Sequence, residues 1–432
     1  MSNDPQSDPE FEDDLAQAFA RAAAGVRTEA EPLLSGGLTR GRARRRRRTT
    51  AVVGSITALA LVGAGGAFVA GLRAPVATSN VLSQGDVQKS APPHLDKSVN
   101  VLLIGLDSRK DMNGDDLPPQ VVQDELHAGG SSDIGGYNAD TLIVLHIPAD
   151  GGKVTALSVP RDDYVQTVGA DGRMHKIKEA YAIAKEAAEH KLAGQGLSKA
   201  ALEQQSRDAG RSATIQTVQD FLDIPIDHFA ELNLLGFYDI AKAVGPIQVC
   251  LNHAVSDPIA ARTAGREGGG TGLELPAGIS SLNASQALSF VRQRHNLVNG
   301  DLDRTHRQQA FLASVGHKLT QDGLFGDLGK MQSLLGMVKK DVVLDDRWNL
   351  LDFAQQAPGL TGDNVEFNTL PISGFKTIDG EGVNTVDPDL IKKIVQQLFT
   401  DTPASSTPQA GQAAALPMQG PPVKTGGIPC VN

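Results

Sequence analysis

Apolar residues in the middle of this chain come in short unbroken runs separated by longer amphipathic stretches. Residues 99–107 (VNVLLIGLD), 141–148 (TLIVLHIP) and 153–160 (KVTALSVP) are rich in Val, Leu and Ile and are bounded by Gly, Pro or Asp. Runs of this kind read as buried strands. The Asp-Gly-Gly at 150–152 predicts a hairpin turn between the last two. Further strands are expected at 228–234, 246–251 and 364–372. Helices are expected over 174–192, 212–223, 234–245, 282–295, 305–320 and 388–399, with another near 348–357. Strands alternate with helices, and one strand pair is antiparallel. The expected fold is therefore α/β: a mixed central β-sheet with helices on both faces, an α-β-α arrangement.

A different pattern precedes it. Residues 1–48 are polar and read as a mostly disordered tail, ending in GLTRGRARRRRR. The next stretch, 49–72, carries no charge. A helix crosses a bilayer core with roughly 20 apolar residues, so 49–72 is expected to be a transmembrane helix. The arginines on its N-terminal side orient it with the N-terminus cytoplasmic and the rest outside the cell. A cleaved signal peptide is the alternative; the run is longer than a normal signal core and no small-residue cleavage site stands out. Residues 73–97 read as an extracytoplasmic linker, 98–400 as the folded domain, and 401–432, rich in Pro, Ala, Gln and Gly, as a disordered tail.

Composition narrows the chemistry. The 432 residues carry a formal charge of −10, which argues against nucleic acid as a partner. The two cysteines, Cys250 and Cys430, form no CxxC pair and no Cys/His spacing suited to zinc. An exported domain allows a Cys250–Cys430 disulfide, but spacing along the chain leaves open whether the two meet. No Ser-His-Asp or Cys-His set is evident, which favours direct transfer over a covalent intermediate.

Charged residues sit at the ends of the apolar runs, where α/β sheets place sites: Asp107, Asp140, Arg161 and Asp162. Each alone reads first as a cap or an ion-pair partner and only second as a functional residue. The densest cluster is VRQRHNLVNGDLDRTHRQQ at 291–309, with Arg292, Arg294, Arg304, Arg307, Asp301 and Gln308. Guanidinium forks match phosphate oxygens. On one continuous helix Arg292 and Arg294 point apart; they converge only if the helix ends near His295.

Taken in order, GLDSR, NADT, SVPRD, HKIKEAYA, LPAG, LNASQALSFVRQRH and GDLDRTHRQQ resemble the LytR-CpsA-Psr family, over about 99–320 and onward to about 400. The resemblance implies a membrane-bound phosphotransferase that attaches a polyprenyl-pyrophosphate-linked anionic glycopolymer to peptidoglycan. It implies Asp107 and Asp140 as carboxylates holding Mg²⁺, and Arg161, Arg292, Arg294 and Arg304 as the grip on pyrophosphate. It also implies Lys176 as a pocket lysine, Asp301 and Gln308 as residues fixing the arginines, and an apolar prenyl channel drawn from Leu and Phe within 218–240 and 288–291.

The chain departs from the family pattern at Asn138, where Arg is frequent, and at Lys176-Ile177-Lys178, where the pattern reads K-I-N. The segment between Asp107 and Asp140 reads as a surface loop, with a lid over the site as the alternative. The stretch 192–211 reads as a polar insertion. A prenyl-pyrophosphate hydrolase, a lipid-binding module and a transcriptional attenuator are the competing functions. Arg161→Ala and Arg294→Ala are expected to abolish turnover with the fold intact.

Overall fold

The computed structural model describes residues 77–84, 87–96, 98–132, 136–169, 173–259, 269–324, 340–348, 364–400 and 417–432, with scattered positions in 327–336. The N-terminal tail, the expected span at 49–72 and the helix expected near 348–357 lie outside these residues. Among the described residues, no helix is long and apolar enough to cross a membrane.

In chain order, β1 (Ala77–Ser79) precedes β2 (Val99–Leu106), β3 (Ala139–Ile147) and β4 (Val154–Ser158). A small hairpin of β5 (Tyr164–Gln166) and β6 (Met174–Lys176) leads to α1 (Glu179–Leu192) and α2 (Lys199–Leu222). Next come β7 (His228–Leu232), α3 (Leu234–Val244), β8 (Ile247–Leu251), β9 (Val255–Asp257), β10 (Leu273–Leu275) and β11 (Gly278–Leu282). Helices α4 (Ala284–Arg292) and α5 (Asp301–Gln321) follow, then β12 (Val342–Asp345) and β13 (Val365–Thr369). The chain closes with the hairpin β14 (Gly374–Ile378) and β15 (Glu381–Thr385), α6 (Pro388–Thr400), β16 (Val423–Lys424) and β17 (Cys430–Val431).

Among the described residues, eight strands form one mixed sheet in the order β1-β12-β7-β2-β3-β4-β13-β16. Strand β2 lies near its middle, antiparallel to β3 and parallel to β7. Successive side chains on a strand face opposite ways. Val101 and Leu103 therefore pack with Leu234, Leu288 and Phe311 of α3, α4 and α5. Leu102 and Ile104 pack on the other face with Tyr181, Val218 and Ile394 of α1, α2 and α6. Both faces are covered, which is why the strand reads as an unbroken apolar run.

Four boundaries differ from expectation. The folded body begins before residue 98: β1 pairs with β12, and Val81, Leu82 and Val87 are buried in the core. The final residues are not a disordered tail, because β16 extends the main sheet beside β13 and β17 pairs in parallel with β8. Val423 and Val431 are buried there, anchors too sparse to stand out in a Pro- and Gly-rich stretch. Cys430 lies opposite Cys250 and the two form a disulfide across 180 residues, a crosslink that typically stabilises by about 2–4 kcal/mol. Residues 174–176 are strand rather than helix. The expected polar insertion is largely α2, which starts after the Ser198 cap and buries Glu203, Ser206, Arg207 and Arg211.

Candidate functional site

The site begins at a bulge in the central hairpin. Gly105 faces Thr141 but Leu106 faces Ala139, so Asp140 is the extra residue. A Cβ on Gly105 would lie 3.0 Å from the Thr141 Cβ, too tight for an easy fit. Bulges re-aim side chains beside active sites, and here the chain ends carrying Asp107 and Asp140 are knitted together. The Asn138 carbonyl accepts from the N–H groups of Asp107 (3.1 Å) and Asp140 (3.0 Å), while its own N–H donates to Asp107 Oδ1 at 2.9 Å. At the position where the resemblance implies arginine, Asn138 thus contributes backbone contacts.

Arg161 leaves the end of β4 and is 4% exposed. Its nitrogens reach Asp140 at 2.6 Å, Asp301 at 3.2 Å and Asp162 at 3.3 Å. Asp301, Arg304 and Gln308 lie on the first turns of α5 at three- and four-residue spacing, which puts them on one face. Arg304 donates to Asp301 at 3.0 Å and stands 3.9 Å from Asp140. Lys178 reaches Asp162 at 2.8 Å. Asp140 is pushed up by burial but pulled down further by Arg161, Arg304 and Lys178, so it stays ionised. Burial opposes the charge on Arg161, yet Asp140, Asp301 and Asp162 outweigh it and raise its pKa.

Beside this balanced network lies a cavity of about 290 Å³. Asp107, Asp140, Arg292, Arg294, Arg304 and Gln308 line it with apolar residues from the sheet, α3, α4 and α5. Helix α4 ends at Arg292, so Arg292 and Arg294 reach the same space, while Gln308 Nε2 donates to the Val291 carbonyl at 3.3 Å. Among the implied channel residues, Leu232, Leu234, Phe237 and Leu288 line the cavity. Phe221, Leu222 and Phe229 instead fill the core on the opposite sheet face, and Phe290 the core under α4.

Lys176 does not line the cavity. It pairs with Glu381 of the β14–β15 hairpin, which the sequence pattern did not reveal. Two residues on, Lys178 faces the arginine network at the position where the chain departs from K-I-N. The residue missed altogether is Arg109, which lies within the GLDSR motif and lines the cavity. Its Nε and Nη1 are buried without a hydrogen-bond partner among the described residues. Burial lowers its pKa, partly offset by Asp107. Arg292 is pushed down to about 10, first by burial and then by Arg109, but remains a cation at neutral pH. Asp107 is raised, by burial first and then by Asp140.

Part of the segment between Asp107 and Asp140 is packed into the core. Val122 and Leu126 are fully buried, and the Leu126 carbonyl accepts from Arg292 Nη1 at 2.9 Å. Next to Asp162, the Asp163 carboxyl is fully buried and its pKa is raised well above the usual range, by burial and then by Asp162 and Asp301. Oδ1 accepts from Asn384, whereas Oδ2 has no partner among the described residues. A folded-state pKa above the unfolded one stabilises at acidic pH, and that contribution fades as pH rises through the folded value. Asp163→Asn is therefore expected to melt about 2–4 °C above the parent at pH 8, the gain shrinking toward pH 5. A gain independent of pH in thermal melts would refute the assignment.

Chemically, four arginines and two carboxylates lining a mostly apolar cavity suit an anion with an apolar tail. Several known proteins are similar to this chain. The cell wall biosynthesis protein LcpA of Corynebacterium glutamicum is 37% identical over 319 residues, 73% of this chain and 58% of that protein. This chain thus spans little more than half the length of that relative. The polyisoprenyl-teichoic acid–peptidoglycan teichoic acid transferase TagU of Enterococcus faecalis is 26% identical, over 72% of this chain and 88% of its own. The crystal structure of Bacillus subtilis TagV is 22% identical with a TM-score of 0.47, covering 71% of this chain and 99% of TagV. The LytR_cpsA_psr family model matches residues 71–400, well over half of the sequence, and the chain belongs to that family.

Proposed function

We propose that this protein is an extracytoplasmic phosphotransferase, anchored by residues 49–72, that moves an anionic glycopolymer from a polyprenyl-pyrophosphate carrier onto peptidoglycan. One observation carries the reading: Arg109, whose Nε and Nη1 have no hydrogen-bond partner among the described residues, and Arg292, whose pKa is depressed, line the same mostly apolar cavity. A diphosphate there would relieve the repulsion between them, and the apolar walls would take the first prenyl units. The names of the relatives, cell wall biosynthesis protein and teichoic acid transferase, support the same class. The Cys250–Cys430 disulfide fits an oxidising compartment outside the cytoplasm.

In this mechanism an acceptor hydroxyl attacks the phosphorus bearing the glycan, the P–O–P bond breaks, and prenyl phosphate leaves. Arg109, Arg292 and Arg294 bind the diphosphate and stabilise charge growing on the leaving group. Arg161 and Arg304 hold Asp140 and Asp301 in place. Asp140, kept ionised, is a weak base. Among the described residues, no group of three or more acidic, His or Cys side chains is arranged to hold a metal. Magnesium, however, is commonly held by one or two carboxylates plus substrate phosphates. Asp107, raised by burial and by Asp140, fits that donor set. Bound there, Mg²⁺ would neutralise diphosphate charge.

The test incubates the full chain in detergent with prenyl-diphosphate-linked glycan and peptidoglycan fragments. A glycan–peptidoglycan phosphodiester plus free prenyl phosphate is expected, slowed by chelating divalent metal. Prenyl phosphate without conjugate would make the protein a hydrolase. A reporter fused after Thr400 that reads as cytoplasmic would end the transferase reading.

A further inference from the structure

Arg307 belongs to the same basic cluster as the cavity arginines, yet it is 1% exposed and does not line the cavity. Its guanidinium lies 5.3 Å from the Phe290 ring centroid. Nε donates to the Asn432 carbonyl at 2.5 Å, and Nη1 donates to Gln293 Oε1. Gln293 is the residue between Arg292 and Arg294. At Gln293 the backbone (φ −51°, ψ 136°) leaves the helical region, so α4 stops there. Arg292 and Arg294 both line the cavity, whereas Gln293 between them does not line it and is 1% exposed. Its Nε2 also donates to the His295 carbonyl at 2.9 Å, so one side chain clamps the turn that carries both arginines.

We propose that Arg307 and Gln293 are a positioning pair: neither touches substrate, and together they aim Arg292 and Arg294 at the diphosphate. The pair reaches beyond α5, because Arg307 is held in turn by the C-terminal strap that β17 and the Cys250–Cys430 disulfide fasten to β8. The proposal rests on the diphosphate reading of the cavity. Without the clamp, the turn after Arg292 is free to take other conformations, and misplacing a binding group by an ångström is costly.

The test measures binding of geranylgeranyl diphosphate to the full chain, with geranylgeraniol as the uncharged control, well below each protein's melting temperature. Gln293→Leu and Arg307→Met are each expected to weaken diphosphate binding about tenfold and leave the alcohol unchanged. Because the two act through one contact, the double variant is expected to bind no more weakly than the poorer single. Where Arg307→Met does not fold, Gln293→Leu alone carries the comparison. Unchanged diphosphate affinity with only a lowered melting temperature would reduce the pair to a structural contact and overturn the proposal; so would losses that multiply in the double variant. A parent protein that binds diphosphate no better than alcohol would instead overturn the reading of the cavity, and this proposal with it.

Discussion

Replacing Arg161 with alanine is expected to lower turnover by about a thousandfold and to cost the fold about 2–4 kcal/mol. The first effect follows from its place at the end of β4, touching Asp140, Asp162 and Asp301 at once. Removing it leaves three carboxylates around one space. Asp140 then loses the strongest influence holding it ionised, and α5 loses the link through Asp301 that sets Arg304. The second effect follows from the burial of Arg161. A cation 4% exposed and paired on three sides cannot be deleted without stranding its partners. Those partners are 22% to 36% exposed, so solvent screens part of the loss. Arg294 separates the two effects, because it is exposed at the cavity. Arg294→Ala is expected to lose turnover with no change in denaturation midpoint. Turnover and urea denaturation on both variants decide the matter; Arg161→Ala with parental activity would remove the network from the mechanism.

A comparably large effect is expected far from the cavity. Glu231 on β7 is fully buried on the sheet face opposite the cavity, among α1 and α2. Arg211 grips it at 2.8 and 2.9 Å, Tyr181 donates at 3.0 Å, and Arg207 at 3.3 Å. Burial pushes its pKa up, but Arg211 and Arg207 pull it down further, so the site holds a charge. Glu231→Ala takes the fully buried carboxylate from two buried guanidinium groups, leaving Arg211 with Asp208 at 2.8 Å and Arg207 with Glu203 at 3.7 Å, a loss of about 3–5 kcal/mol. Arg207 also donates to the carbonyls of Asp111 and Met112, just beyond Arg109. Amide exchange across 107–118 is therefore expected to speed up along with the loss of stability. Glu231→Gln keeps shape and acceptor and is expected to cost less. A destabilisation under about 1 kcal/mol in Glu231→Ala would show that the network is replaceable packing.

What the sequence alone determined is the central sheet and the neighbourhood of the site. Val99–Leu106 and Ala139–Ile147 were legible because a strand buried on both faces must be apolar at consecutive positions. Asp107, Asp140 and Arg161 stood out because a charge at the end of such a run needs a partner or a task. The turn that lets Arg292 and Arg294 converge was foreseen as a requirement, since a continuous helix would have parted them. Tertiary structure alone decided the rest. Whether Lys176 or Lys178 meets the arginines depends on a hairpin more than 190 residues downstream that supplies Glu381. Arg109 is ordinary in sequence and becomes notable only when packing buries its nitrogens without acceptors. The polar half of α2 looked like surface because the glutamate that neutralises it lies on another element. Periodicity records which face of an element meets the core. The pairing of charges across elements leaves no periodic trace, so it emerges only when the chain has closed on itself.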